Sequence, residues 1–271
     1  MVFLPVASFI LCRDADCASM AIPIIILLTV LATSVLSGVV GMAGGMILMA
    51  LLAFLLPVPV AMMLHGVTQA AANGSRAFFL RHHVRWAVLP PYLLGVGLCI
   101  TGFAVFTFVP DRSVVLILVG LFPWVGRVLP AIERLDVERP GPAFACGAIV
   151  TSAQLLAGAS GPLLDVFFLR SRLTRHEIVA TKAITQTLGH LTKLGYYGSL
   201  LYLAGEGPAL GSDAPAWLFP AVVPVALLGT RIGTGLLDRL EDAQFRHASE
   251  RIILAIGAAC TMTGVVELAT G

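Results

Sequence analysis

Thr68-Gln69-Ala70-Ala71-Ala72-Asn73-Gly74-Ser75-Arg76 returns 117 residues further along the chain as Thr185-Gln186-Thr187-Leu188-Gly189-His190-Leu191-Thr192-Lys193. The threonine and glutamine are kept, asparagine is matched by histidine, and arginine by lysine. The same shift, without a gap, lays Gly41 on Gly158 and Gly44 on Gly161. One coincident glycine pair means little in a chain with 27 glycines. Polar matches in apolar surroundings mean much more. The chain reads as two related halves, each carrying a glycine break and then a polar strip.

The surroundings of these stretches set the solvent. Of 271 residues, 58% are hydrophobic and 12% charged, and the mean hydropathy is +0.94. A soluble domain uses about a quarter charged residues, so this chain cannot cover a water-facing globule. The composition implies an all-α, polytopic integral membrane protein with the lipid bilayer as its partner. A net charge of +2 offers no basic face to nucleic acid. The five cysteines (Cys12, Cys17, Cys99, Cys146, Cys260) form no CxxC. Three of them sit in apolar runs, as small buried hydrophobes do.

A spanning helix needs about 20 apolar residues. Runs of that kind cover about 22–56, 58–80, 86–109, 112–129, 142–169, 175–203, 216–237 and 247–270. The first is interrupted by Gly41-Met42-Ala43-Gly44-Gly45 and the fifth by Gly158-Ala159-Ser160-Gly161-Pro162. Glycine and proline break helices. Backbone groups freed at membrane depth must be satisfied by protein or by water in a cavity. Both breaks therefore belong inside the protein. The expected organisation is a leader or interfacial segment (1–21), a first repeat (22–130), a cytoplasmic linker (131–141) and a second repeat (142–271).

If each broken run enters and returns, each half has five segments, and the second half starts from the opposite side. Eleven arginines (81, 85, 127, 134, 139, 170, 172, 175, 239, 246 and 251) then fall on one side, against Arg13 and Arg112 on the other. The positive-inside rule favours this inverted arrangement, with the basic loops cytoplasmic and both termini outside. Inverted repeats with broken helices at mid-membrane are a recurring transporter design.

His65, Gln69, Asn73 and Arg76 share one narrow helix face, and so do Lys182, Gln186, His190 and Lys193. Polar and charged residues at that depth face the protein interior or a water-filled space. Arg76 and Lys193 supply positive charge; Gln69, Asn73 and Gln186 supply hydrogen-bond donors. Half-helix N-termini at Gly41, Gly44, Gly45, Gly158 and Gly161 would add backbone N–H groups. Two such strips meeting at a pseudo-twofold axis suit a small anion.

The competing reading is that polar side chains merely join helices, and it is the better one for Thr68 and Thr185. An Asp165–Lys193 ion pair would weaken the anion reading. His65 and His190 are candidates for proton coupling, or else hydrogen-bonded core residues. Arg231, flanked by Gly229, Gly233 and Gly235, either joins the site or reaches an interface. Trp86 and Trp217 mark interfaces, and Arg81-His82-His83-Val84-Arg85 reads as an anchoring loop. No HExxH, GxSxG or Walker-type loop occurs, so no enzyme activity, cofactor or metal is expected. A homo-oligomer is left open.

The stretch Ser37-Gly38-Val39-Val40-Gly41-Met42-Ala43-Gly44-Gly45, with Gln69, Asn73, Arg76 and the Arg81–Arg85 loop, resembles the sulfite exporter TauE/SafE family of membrane permeases. The second half, with its GxxGP break, His190 and Lys193, resembles that family's repeat. The first break reads GMAGG where the family often has GxGGG. The resemblance spans about residues 22–270. It implies export of sulfite, sulfoacetate or related organosulfur anions across the bacterial inner membrane. The rivals are a passive anion channel, a non-transporting membrane assembly or redox-partner protein, and a cation carrier. The last would need core acids, of which only Asp165 is clearly placed.

Overall fold

The computed structural model describes residues 14–40, 43–128, 135–203, 214–237 and 242–270. Gly41 and Met42 of the first break, residues 1–13 of the leader and 131–134 of the linker lie outside them. Within them all extended regular structure is helical. The first half contributes α1 (Asp14–Val40), α2 (Ala43–Leu55), α3 (Val58–Phe79), α4 (Leu89–Phe106) and α5 (Arg112–Val128). The second contributes α6 (Pro140–Ala157), α7 (Gly161–Phe168), α8 (Arg175–Leu203), α9 (Leu218–Leu237) and α10 (Asp242–Thr270). Each long apolar run is thus a pair of helices, α1–α2 and α6–α7. The first helix begins at Asp14, well before residue 22.

Local chemistry explains the breaks. Gly158 ends α6 with a left-handed φ of 72°, and its N–H is bonded to the Gln154 carbonyl. A side chain there would be strained and would meet the Met49 and Met62 sulfurs at 2.3 and 2.8 Å. Pro162 then sits in the first turn of α7, where its missing N–H costs nothing. In the first half the chain doubles back. A Cβ on Gly44 would lie 2.0 Å from the Thr33 carbonyl and 3.0 Å from Ser37, so only glycine lets α2 return along α1. Beyond the second break, α8 opens with a reciprocal cap. The Thr174 N–H and hydroxyl donate to Glu177, whose own N–H returns to the threonine hydroxyl.

The halves are entwined rather than placed side by side. The broadest helix contacts all join opposite halves: α1 on α9, α4 on α6, α3 on α8 and α5 on α10. Exchanging the halves turns α1–α9 into α6–α4 and maps α3–α8 and α5–α10 onto themselves. The repeat mates run antiparallel. Gly66 faces Leu194 and Gly74 faces Thr187; Gly120 faces Gly257 while Gly264 faces Ser113. Mates packed antiparallel require a pseudo-twofold axis across the helices, which is the inverted arrangement. In this register Asn73 and His190, equated by the repeat, both lie next to the α3–α8 crossing.

Among the described residues, four helical segments are long and apolar enough to cross a membrane: Met20–Ser37, Trp86–Phe106, Pro140–Ala157 and Leu218–Leu236. The outer surface is correspondingly apolar, with Leu28, Leu94, Leu98, Val105, Met262 and Val265 all more than half exposed. A soluble monomer does not leave so much apolar surface open; here the lipid covers it. The two strip-bearing helices, α3 and α8, pack on each other at the centre, with His65, Gln69, Asn73, Gln186, His190 and Lys193 buried and Arg76 and Lys182 partly so. Cys99, Cys146 and Cys260 are free and buried. Of the three glycines near Arg231, Gly229 brings α9 against Ser34 and the Leu31 carbonyl of α1, whereas Gly235 faces open space. Arg231 itself is exposed.

The glycine contacts give a stability test. A Cβ on Gly147 would fall 2.0 Å from the Tyr92 carbonyl, while Gly97 has nothing within 4 Å. Gly147→Ala should destabilise the α4–α6 contact by about 1–3 kcal/mol and lower the midpoint of thermal unfolding in detergent. Gly97→Ala should leave that midpoint within a degree or two of the parent.

Candidate functional site

A small cavity lies where the two breaks meet the two strips. It is lined by Ser37, Gly45, Met46, His65, Gln69 and Asn73 from the first half, and by Ala159, Ser160, Gly161, Gln186 and His190 from the second. Among the described residues no acidic one lines it. The first residues of α2 and α7 sit at its wall. The opening N–H groups of a helix have no partner within it and carry the positive end of its dipole.

The side chains form one network across the axis. The Asn73 amide donates to the Gln69 carbonyl at 3.1 Å, and Arg76 Nη1 donates to Asn73 Oδ1 at 3.4 Å. In the other half the Gln154 amide donates to Gln186 Oε1 at 2.9 Å and lies 3.5 Å from His190 Nε2. An amide N–H can only donate, so that His190 nitrogen is the acceptor and Nδ1 carries the proton. His190 Nδ1 is buried and has no protein partner among the described residues. A lone N–H on a cavity-lining ring is a vacant donor, and its cost is repaid only by something the cavity holds.

The two cations take a different place. Neither Arg76 nor Lys193 lines the cavity. Arg76 Nη2 donates to the Ser37 carbonyl, near the end of α1, at 3.3 Å. Lys193, with no exposed surface, donates to the Gly158 carbonyl at 2.9 Å and meets His65 Nδ1 at 2.8 Å. His65 Nε2 lies 2.8 Å from the Gly45 carbonyl. A carbonyl only accepts, so Nε2 is the protonated nitrogen and Nδ1 accepts from Lys193. Each cation thus caps the carbonyl end of its own half's first helix, where positive charge offsets the helix dipole. Lys193 and His65 also tie the second break to the first.

The strip residues Gln69, Asn73, Gln186 and His190 meet at the cavity with Gly45 and Gly161. Gly44 packs against α1, and Gly158 presents its carbonyl to Lys193 instead. Asp165 pairs with Lys182, not with Lys193. Thr68 and Thr185 donate to carbonyls of their own helices. Sequence reading overlooked Gln154, Ser37, Ser160 and Met46. Ser37 and Gln154 are repeat mates at the 117-residue shift, a signal that could have found them. No cluster of three or more His, Cys, Asp or Glu suited to a metal occurs among the described residues.

Fold and site together define a polytopic helical membrane protein whose inverted halves enclose a polar cavity with no acid among its described lining residues. The family model described as "Sulfite exporter TauE/SafE" matches residues 25–260, and the chain belongs to that family. No curated protein and no solved structure matches it.

Gly189 gives the sharpest test of this geometry. A Cβ there would lie 1.7 Å from Gln154 Oε1, so Gly189→Ala must expel the glutamine from Gln186 and His190. The midpoint of thermal unfolding in detergent should fall by several degrees in Gly189→Ala. In Gly195→Ala, where nothing lies within 4 Å, it should stay within a degree or two of the parent.

Proposed function

We propose that the protein carries small sulfur oxyanions, sulfite or an organosulfonate such as sulfoacetate, out of the cytoplasm across a bacterial inner membrane. The observation that carries this reading is the cavity at the repeat axis. Neutral donors from both halves and two helix N-termini converge there, a vacant His190 N–H among them, and no carboxylate competes. Such a lining suits an anion, because the side-chain amides, the His190 N–H and the two helix N-termini can all turn donors or positive dipole toward it. Arg76 and Lys193 act from one layer behind, lending positive potential while they hold the breaks.

Transport follows by alternating access, the halves rocking about the cavity so that it opens first to one side and then to the other. The arginine-rich loops face the cytoplasm, in keeping with the positive-inside rule. His190 is the group we assign to proton coupling. Both nitrogens of His65 are engaged, whereas His190 Nδ1 has no partner among the described residues, with the His65 ring and Lys193 beside it.

The decisive experiment is sulfite and sulfoacetate flux in proteoliposomes, comparing wild type with Gln186→Ala, His190→Ala, Arg76→Gln and Lys193→Gln. Saturable flux is expected in the wild type. Removing one donor, as in Gln186→Ala, should weaken it about 10–100-fold, the worth of a hydrogen bond to a charged group. Non-saturating flux without exchange between substrates would mark a channel. Full flux in all four variants would put the anion elsewhere.

A further inference from the structure

We propose that Lys182, paired with Asp165, is an entry subsite for the anion, one helical turn outside the central cavity on the arginine-rich side. This rests on the anion reading above and adds a second binding step to it.

Three observations lead there. Lys182 lies one turn before Gln186 and on the same face of α8, and Asp165 lies one turn after Gly161 on α7. Gln186 and Gly161 both line the cavity, so the pair stands directly outside it. Leu191 and Gly195, exposed on the outward face of α8, lie about half a turn round from Lys182. The pair keeps part of its surface open, 19% for Lys182 and 47% for Asp165, on the helix faces that lead to Gln186 and Gly161.

That opening has a cause in the fold. In the first half α2 packs along α3, joined by two residues. Their repeat mates α7 and α8 are joined by six residues and scarcely touch. The ion pair bridges the resulting gap. On the opposite side of the cavity the mate of Lys182 is His65, held between the Gly45 carbonyl and fully buried Lys193. The mate of Asp165 is Leu48, so the first half has no ion pair at this position. This conformation is closed at His65–Lys193 and penetrable at Asp165–Lys182.

Exposed Arg170, Arg172 and Arg175 lie beside the gap and attract anions toward it. An oxyanion arriving there meets an ammonium already matched to a carboxylate. Asp165 keeps about half of its side chain open to solvent, so an arriving oxyanion can compete with it for the ammonium. The oxyanion takes the place of Asp165 on Lys182, then moves one turn inward to Gln186 and His190. Asp165 returns to Lys182 and keeps that cation from trapping the anion.

The test is sided kinetics with sulfite, in right-side-out and inverted vesicles containing the full chain. For Lys182→Gln, KM for sulfite presented to the arginine-rich face should rise about tenfold, and KM from the opposite face should not change. Lys182→Arg should restore the low KM. Asp165→Asn should lower KM on the arginine-rich face by removing the competing carboxylate, and it decides the matter alone if Lys182→Gln fails to fold. Equal KM changes on both faces, or a matching loss in Asp165→Asn and Lys182→Gln, would mean that the pair only ties α7 to α8, and would overturn the subsite. Folded wild type that moves no sulfite, sulfoacetate or sulfate overturns the transport reading and the subsite together. Wild-type flux with variants that show no sidedness overturns the subsite alone.

Discussion

Everything in this protein depends on how a chain interrupted within a membrane satisfies its broken backbone. A carbonyl left unpaired in hydrocarbon costs several kcal/mol. The second break meets that cost with a buried lysine, whose ammonium holds the Gly158 carbonyl and the His65 ring together. The first break does so with Arg76 on the Ser37 carbonyl. A buried ammonium is itself costly unless fully bonded, so cation and break stabilise each other. Each would be a liability without the other.

The entwined halves follow from the same constraint. Each polar strip needs a neighbour other than lipid, and the neighbour it finds is its own repeat mate running the opposite way. α3 and α8 cover each other's polar faces, while helices such as α4 and α9 carry the lipid-facing apolar surface. The symmetry is imperfect where function needs it to be. An asparagine stands opposite a histidine, a histidine opposite a lysine, and a leucine opposite Asp165. One side of the cavity is thereby sealed by a His–Lys contact and the other spanned by a half-exposed ion pair. Two inequivalent closures around one central cavity fit the alternating access we propose.

The chemistry inside the cavity is milder than the charges in the strips suggest. Arginine and lysine contribute field and architecture, while amides, an imidazole N–H and helix N-termini face the interior. An anion held by neutral donors is released more easily than one locked in a buried ion pair, since no uncompensated cation is left behind. A carrier must let its cargo go, and this lining suits that need.

Composition and spacing alone determined that the chain lives in a bilayer, that it is duplicated, where its helices break, and that Gln69, Asn73, Gln186 and His190 share inward faces. Those properties are local: hydropathy, glycine and proline positions, and the 3.6-residue period are written along the chain. Tertiary structure decided the rest. Ser37 reaches the cavity from α1, and Gln154 reaches two of its lining residues, Gln186 and His190, from α6; the approach of both helices depends on glycines in distant partners. Helical spacing gave Arg76 and Lys193 the same face as their neighbours, yet their long side chains turn to the break carbonyls, because the nearest unsatisfied acceptors lie there. Asp165 had two lysines within reach along the sequence, and the short α7 helix delivers it to Lys182. A helical period fixes the face of a residue, but the acceptor a flexible cation finds is settled only when the other helices have packed around it.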